Sequence, residues 1–340
     1  MAGLCGGGVW RRFDHAFAKT PLTQRTAADF LHCSGMLLVR NVFSTPVGAR
    51  LLLGDPMNSA NPVRSMLYIP ASKGRALEKA ATLGADAIIF DLEDAVAPDE
   101  KPAARATLGA VLTELDYGRR LRLVRINGLD TAWGREDALA LASHPAVDGI
   151  LVPKVNGAAD LAAVALLAPE KPLWAMMETP LGVLNAAQIA GFGALRGMVM
   201  GTNDLAKDLG ARARSDRAPL ITSLGLCLLA AKAHGRMIVD GVFNAFRDVA
   251  GFEAECLQGR DLGFDGKTLI HPDQVAVANR VFGPSAEELD LAQRQIAAYN
   301  AALANGQGVA VLDGKIVENL HILSAQALIS KARAIAAMQE

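Results

Sequence analysis

Beginning at Arg64, short apolar runs alternate with amphipathic stretches of helical length, eight times over. The runs fall at 65–70, 86–91, 121–126, 149–153, 172–178, 196–201, 237–240 and 267–271. Flanked by Gly and Pro and lacking a polar face, they have the character of parallel strands buried on both sides. Between them lie stretches such as 73–82, 102–115, 158–167, 184–190, 220–234 and 249–262. A strand–helix unit repeated eight times predicts an α/β fold, the (β/α)8 TIM barrel. A doubly wound open sheet is the rival. It usually has fewer strands, and no G-x-G-x-x-G turn follows the first run; the glycines at 6–8 follow no strand at all. With 51% apolar residues the chain can fill a deep core.

The barrel is expected over 63–283. The segment 1–62 differs: it contains Gly and Arg, is poor in acids and has no sustained period. Three readings fit it: a transit peptide, an extension ahead of an internal start at Met57, or an arm on a neighbouring subunit. A transit peptide would mean the mitochondrial matrix; otherwise the cytoplasm is expected. The segment 284–340 follows a complete barrel. Ser285 and Glu288 have capping-box spacing for a helix to about Ala304, and Asn305–Gly306 ends it. Asp313–Gly314 is a tight-turn pair between 309–312 and 315–317, and a last helix runs over 318–337. Such an appendage serves as a lid or an oligomer contact, or simply covers the barrel wall.

The formal net charge of −1 gives no basic field for nucleic acid and no polybasic tail for a membrane surface. No apolar run approaches the roughly 20 residues that span a bilayer. Cys5, Cys33, Cys227 and Cys256 have no metal-ligand spacing and no disulfide pattern, which fits a reducing compartment.

Polar residues collect at the C-terminal ends of the runs. Asp91, Glu93 and Asp94 follow the second, Arg125 closes the third, Lys154 the fourth and Glu178 the fifth. Asp204 follows the sixth after a Gly-Thr-Asn turn, Asp240 ends the seventh and His271 follows the eighth. The opposite ends carry a weaker set, Asp86, Arg120, Asp148, Arg196 and Lys267. Barrel enzymes do their chemistry at the C-terminal end, so an active site is expected there. Glu178 and Asp204 can converge on one point and, with room for water, suit a hard cation such as magnesium. Capping of the following helices is the alternative reading. Lys154 reads as a strand-end salt bridge or second-layer support. Asp240 reads as a contact to the coenzyme end or an orienting group, His271 as a support for the last loop, and Met176–Met177 as core.

Seven short motifs stand in a row: RSMLYIPASK at 64–73, DLEDAV at 91–96, VRIN at 124–127, LVPKV at 151–155, METPLG at 177–182, GTNDLA at 201–206 and GFDGKTLIHPDQ at 263–274. With GKIVENLH at 314–321 they resemble the citrate lyase β-subunit-like family, the HpcH/HpaI aldolase relatives that include malyl-CoA and citramalyl-CoA lyases. The resemblance implies a magnesium-dependent lyase (manganese being the alternative ion), assembled as a homotrimer or a dimer of trimers. It implies Glu178 and Asp204 as direct metal ligands, with Glu93 and Asp94 as acids reached through water. It implies Arg125 as the substrate-binding and catalytic arginine, and it associates Arg64 and Lys73 with the nucleotide part of coenzyme A. A C-terminal acid from a neighbouring subunit is its candidate proton donor; the matching position is Glu318, where relatives often carry Asp.

The implied reaction is reversible carbon–carbon cleavage of a malyl-CoA, citramalyl-CoA or citryl-CoA type thioester into acetyl-CoA and a 2-oxo acid. Magnesium would chelate the substrate's carboxylate and hydroxyl oxygens, Arg125 would stabilise the enolate, and Glu318 would protonate it. Three alternatives stay open: hydrolysis of the same thioester, aldol cleavage of a CoA-free hydroxy-oxo acid, and a citryl-carrier-protein lyase subunit of a citrate lyase complex. One methyl group in a pocket changes discrimination by only about 1–3 kcal/mol, so the motifs do not name the acid.

Overall fold

A computed structural model describes residues 62–338. Apart from Pro62, the extension expected over 1–62 lies outside the described residues. Eight parallel strands are β1 (Ser65–Pro70), β2 (Ala87–Asp91), β3 (Leu121–Arg125), β4 (Gly149–Val152), β5 (Leu173–Met177), β6 (Leu195–Met200), β7 (Met237–Asp240) and β8 (Gly266–Leu269). They follow one another around a closed barrel, and β8 pairs back onto β1. The eightfold alternation therefore closes as the sequence predicts.

Side chains alternate across each strand. Met66, Ala87, Ile89, Leu123, Leu151, Trp174, Met176, Val199 and Val239 fill the barrel interior. Their neighbours, including Leu67, Ile88, Phe90, Val124, Ile150, Ala175, Met198 and Ile238, face the helical layer in a larger core. Trp174 is the largest interior plug and is 2% exposed. Its ring lies against Gly197, where any Cβ would overlap it, so the residue opposite the indole must be glycine. Counting on by two from Met66, Ile89, Leu123 and Met176 leads to Tyr68, Asp91, Arg125 and Glu178. The pleat thus aims these four polar groups inward at the C-terminal mouth.

The surrounding helices are α1 (Gly74–Ala80), α2 (Lys101–Glu114), α3 (Gly134–Leu141), α4 (Ala158–Leu167), α5 (Pro180–Leu184), α6 (Ala186–Ala190), α7 (Thr202–Asp208), α8 (Ile221–Ala233), α9 (Val249–Leu262) and α10 (Gln274–Phe282). The stretch expected as one helix over 184–190 is instead two short helices meeting at Asn185, whose side-chain amide donates to the Asn156 carbonyl at 2.7 Å. The turn expected at Gly-Thr-Asn is the start of α7, so Asp204 sits in a first helical turn.

At the far end of α10, the Asn279 side chain accepts from the Ser65 hydroxyl and donates to the Gly84 carbonyl, both at 2.7 Å. The chain is then at the N-terminal end of the barrel, where α11 (Ala286–Ala304) begins. The Ser285–Glu288 capping box forms, and Glu288 also accepts from Arg260 at 2.6 Å. A hairpin of β9 (Ala310–Leu312) and β10 (Lys315–Val317) and the helix α12 (Asn319–Ala337) complete the appendage. Asp313 and Gly314 both have left-handed φ, 50° and 74°, the pair of values a type I′ turn requires. The two helices pack chiefly on each other, with a small core of Ala302, Ala310, Val317 and Ile322. Among the described residues no helix is long and apolar enough to cross a membrane.

Candidate active site

A cavity of about 310 Å³ opens at the C-terminal end of the barrel, lined among others by Tyr68, Asp94, Arg125, Met176, Glu178 and Asp204. Arg125 is its best-anchored cation. Its guanidinium is 9% exposed and grips Asp91 with two bonds, Nε to Oδ1 at 2.8 Å and Nη2 to Oδ2 at 2.6 Å. The Tyr68 ring lies beneath it, 5.1 Å from centroid to guanidinium carbon. Burial lowers the basicity of such a group, but Asp91 outweighs it and the guanidinium stays firmly protonated. The remaining nitrogen, Nη1, lies 2.8 Å from Glu93 Oε2 and 3.4 Å from Asp94 Oδ2.

The Leu92–Asp94 segment is held from below. Buried Lys101 donates to the carbonyls of Leu92 (3.0 Å) and Glu93 (2.8 Å) and to Asn127 Oδ1 (2.6 Å). Asn127 in turn donates to Asp137, which pairs with Arg105. Every donor here has a partner, so the loop carrying the two acids is rigidly supported.

Glu178 follows β5 and is 2% exposed. Burial, then the neighbouring Glu93 charge, pushes its carboxyl up to about 7, although the Lys154 N–H donates to Oε1 at 2.7 Å. Gly201 makes room for it: a Cβ there would collide with the Glu178 side chain. Lys154 holds a left-handed backbone at φ 50°, unusual for a side chain of its size. From there its ammonium reaches Glu93 Oε1 at 3.0 Å and Asp204 Oδ2 at 3.8 Å. One residue thereby links three acids, Glu178 through its backbone and Glu93 and Asp204 through its side chain. Burial pushes the Glu93 carboxyl up, against the pull of Arg125 and Lys154. Its Oε2 is buried without a hydrogen bond, the ion pair to Arg125 being off the N–H direction.

The donor set fits magnesium. Among the described residues no group of three or more Asp, Glu, His or Cys side chains is placed to hold a metal ion by itself, so protein ligands alone would number two. Two carboxylates with space between them leave positions for water and substrate oxygens, as that ion prefers. The excess of acid and the orphaned Glu93 oxygen are features that a hydrated divalent ion would satisfy.

The other anticipated residues lie elsewhere. Arg64 stands at the opposite, N-terminal end, buried and paired with Asp86 through Nε and Nη2 at 2.8 Å each. Its guanidinium is not brought to the cavity. Lys73 precedes α1 at the mouth and is exposed. Glu318 is exposed at the start of α12, its N–H donating to His321 Nδ1 at 3.0 Å. Among the described residues no bond joins it to the acid cluster. Asp240 is fully buried; burial alone would raise its carboxyl, but Lys267 and Arg217 hold it below the usual range. His271 stacks on Phe246 at 4.5 Å and accepts the Asp273 N–H, steadying the turn after β8. Sequence reasoning set Asp91 at the C-terminal face without giving it a role, and it passed over Tyr68 and the Lys101–Asn127 brace; strand parity could have found Tyr68 and the inward aim of Asp91.

Comparison with known proteins refines this picture. The HpcH/HpaI aldolase/citrate lyase family model matches residues 64–272. A (3S)-malyl-CoA thioesterase of Cereibacter sphaeroides is 64% identical over 282 residues, covering 83% of this chain and 99% of the relative. An L-malyl-CoA/beta-methylmalyl-CoA lyase of the same species is 35% identical over 315 residues, covering 83% and 98%. Mycobacterium tuberculosis CitE, solved with magnesium, acetoacetate and coenzyme A, superposes with a TM-score of 0.69 at 33% identity, covering 81% of this chain and 98% of that one. These findings overturn carbon–carbon cleavage as the expected reaction, since the 64% relative is named for thioester hydrolysis and the lyase stands at 35%. The motifs misled because a relative named for hydrolysis and one named for cleavage each match 83% of this chain, so a shared motif row does not specify which bond breaks. The chain is an enzyme of the HpcH/HpaI aldolase/citrate lyase family.

Proposed function

We propose that the chain hydrolyses the thioester of a (3S)-malyl-CoA-type substrate, releasing coenzyme A and the 2-hydroxy diacid. The observation that carries this reading is the 64% identity to a (3S)-malyl-CoA thioesterase over nearly its whole length. The cavity supports it with a fixed guanidinium, a buried acid pair and an exposed acid at its rim.

Glu178 and Asp204 are the residues that would hold magnesium, which supplies Lewis acidity toward the substrate's carboxylate and hydroxyl oxygens. Arg125, locked by Asp91, presents Nη1 to the thioester oxygen and replaces its weak 3.4 Å contact with Asp94. Asp94, 60% exposed, is then free to accept a proton from the attacking water. The water oxygen bonds to the thioester carbon, the carbon–sulfur bond breaks and the electron pair leaves on sulfur. Asp94 returns its proton to that thiolate. Glu93 keeps Arg125 in register. Lys73 at the mouth is suited to a phosphate of the coenzyme. Glu318, remote from its own cavity, fits a role in the site of a neighbouring copy in a trimeric assembly.

The test is the full chain with magnesium and (3S)-malyl-CoA, with thiol release followed by a chromogenic disulfide and products identified by mass spectrometry. Malate and free coenzyme A are expected in equal amounts. Acetyl-CoA with glyoxylate in their place would refute hydrolysis.

A further inference from the structure

Five carboxyl groups, Asp91, Glu93, Asp94, Glu178 and Asp204, gather at the mouth, and among the described residues the side-chain cations paired with them are Arg125 and Lys154. The two cations are held very differently. Arg125 has its forked grip on buried Asp91 and the Tyr68 ring against it, so it cannot leave. The Lys154 side chain is 53% exposed, and its ammonium stands between Glu93 at 3.0 Å and Asp204 at 3.8 Å. An ammonium in that position screens two acids that a divalent ion would otherwise draw together. Its flexible stem can swing outward with little loss of packing. The left-handed backbone at φ 50° is the second half of the device. It fixes the main-chain N–H on Glu178 at 2.7 Å, so the residue stays attached to one acid whatever its side chain does. A non-glycine residue kept in this conformation marks a site where strain is retained for a purpose.

We propose that Lys154 is a tethered counter-cation, a positioning residue that neutralises Glu93 and Asp204 in the metal-free site and gives way when the divalent ion binds. The proposal rests on Glu178 and Asp204 being the metal ligands. Metal affinity is then set by competition with a charge the protein carries itself, and the acids stay assembled between loading events. Removing the charge makes the site more negative and strengthens its attraction for a doubly charged ion.

Calorimetric titration of the metal-free full chain with magnesium chloride tests this without any turnover. Lys154→Met keeps the stem and the backbone N–H and deletes only the charge. It is expected to bind magnesium roughly tenfold more tightly than wild type, a factor that corresponds to about 1.4 kcal/mol. Metal-free, it should unfold at a lower temperature, and magnesium should restore the difference. Lys154→Arg, which keeps the charge, should bind as wild type does. Lys154→Gln serves as a second neutral variant if the Met variant does not fold. Unchanged or weaker binding in the folded neutral variants overturns the proposal, because a merely structural lysine would give that result. Glu178→Gln runs alongside. If it binds magnesium as tightly as wild type, the ligand assignment fails and the counter-cation role fails with it.

Discussion

Replacing Glu178 by Gln should make the metal-free protein more stable at alkaline pH while removing its response to magnesium. In the folded chain this carboxyl is displaced from the usual 4.5 to about 7, first by burial and then by the Glu93 charge. The unfolded chain releases the proton at the ordinary pH. Between about 4.5 and 7 the unfolded state therefore binds fewer protons than the folded one, and stability falls as pH rises through that window. Below it, neutral Glu178 costs nothing; above it, the cost is fully developed. At 1.36 kcal/mol per pH unit the displacement corresponds to about 3 kcal/mol as an upper figure, and relaxation of the site leaves ~1–3 kcal/mol. Gln has the same shape, can still accept the Lys154 N–H and never acquires the charge. Denaturant or thermal unfolding in a chelator at pH 4 and pH 8, on either side of the window, reads the effect. Wild type and variant should coincide at the lower pH and separate by roughly 3–10 °C at the higher one, the variant being the more stable. Magnesium should then raise the midpoint of wild type alone. Parallel pH curves for the two proteins would refute the account of a strained, buried charge. Equal stabilisation of both by magnesium would refute the ligand role.

Three further outcomes follow from the geometry. Gly197→Ala should cost about 1–3 kcal/mol in unfolding experiments by overpacking Trp174, and shrinking the indole with Trp174→Phe in the same chain should recover part of it. Arg125→Lys should lower kcat/KM by at least about 100-fold in the thiol-release assay while the fold persists, because a single ammonium cannot reproduce the two-pronged hold on Asp91. If the appendage acts across subunits, mixing inactive Glu318→Gln and Asp204→Asn chains should restore part of the activity, whereas no recovery on mixing would exclude action in trans.

The strands were legible because most are apolar on both faces, so their ends could be read to within a residue or two; β3 with its arginines and β8 with Lys267 and Thr268 depart from this. The helices were less so. Gly134–Leu141, Thr202–Asp208 and Gln274–Phe282 are too short to establish a period, and the first opens on glycine. At the site, placement after a strand sufficed to bring Glu93, Asp94, Arg125, Glu178 and Asp204 to one mouth. Arg64 came in through the family resemblance instead: it shares a motif with Lys73, but it precedes β1 and Lys73 follows it, so the two stand at opposite ends of the strand. Lys154 was read as a strand-end salt bridge, and it forms one, but which acids it joins was not legible. Its place depends on a backbone angle and on two acids distant in sequence, neither of which a local pattern encodes. The choice between hydrolysis and cleavage is harder still, since it depends on where one water and one proton stand beside a shared set of groups.

The indole of Trp174 and the packed rows beside it turn the barrel mouth into a cul-de-sac. Whatever enters head first must back out the same way. On the proposed reading, with the diacid end of a malyl-CoA-type substrate against Glu178 and Asp204, the coenzyme would fill the mouth and malate would stay behind it until the thiol has gone. Departure would then be ordered by architecture and not by affinity. Steady-state kinetics would carry that signature: malate competing with the thioester for the empty enzyme, and free coenzyme A inhibiting in a mixed fashion.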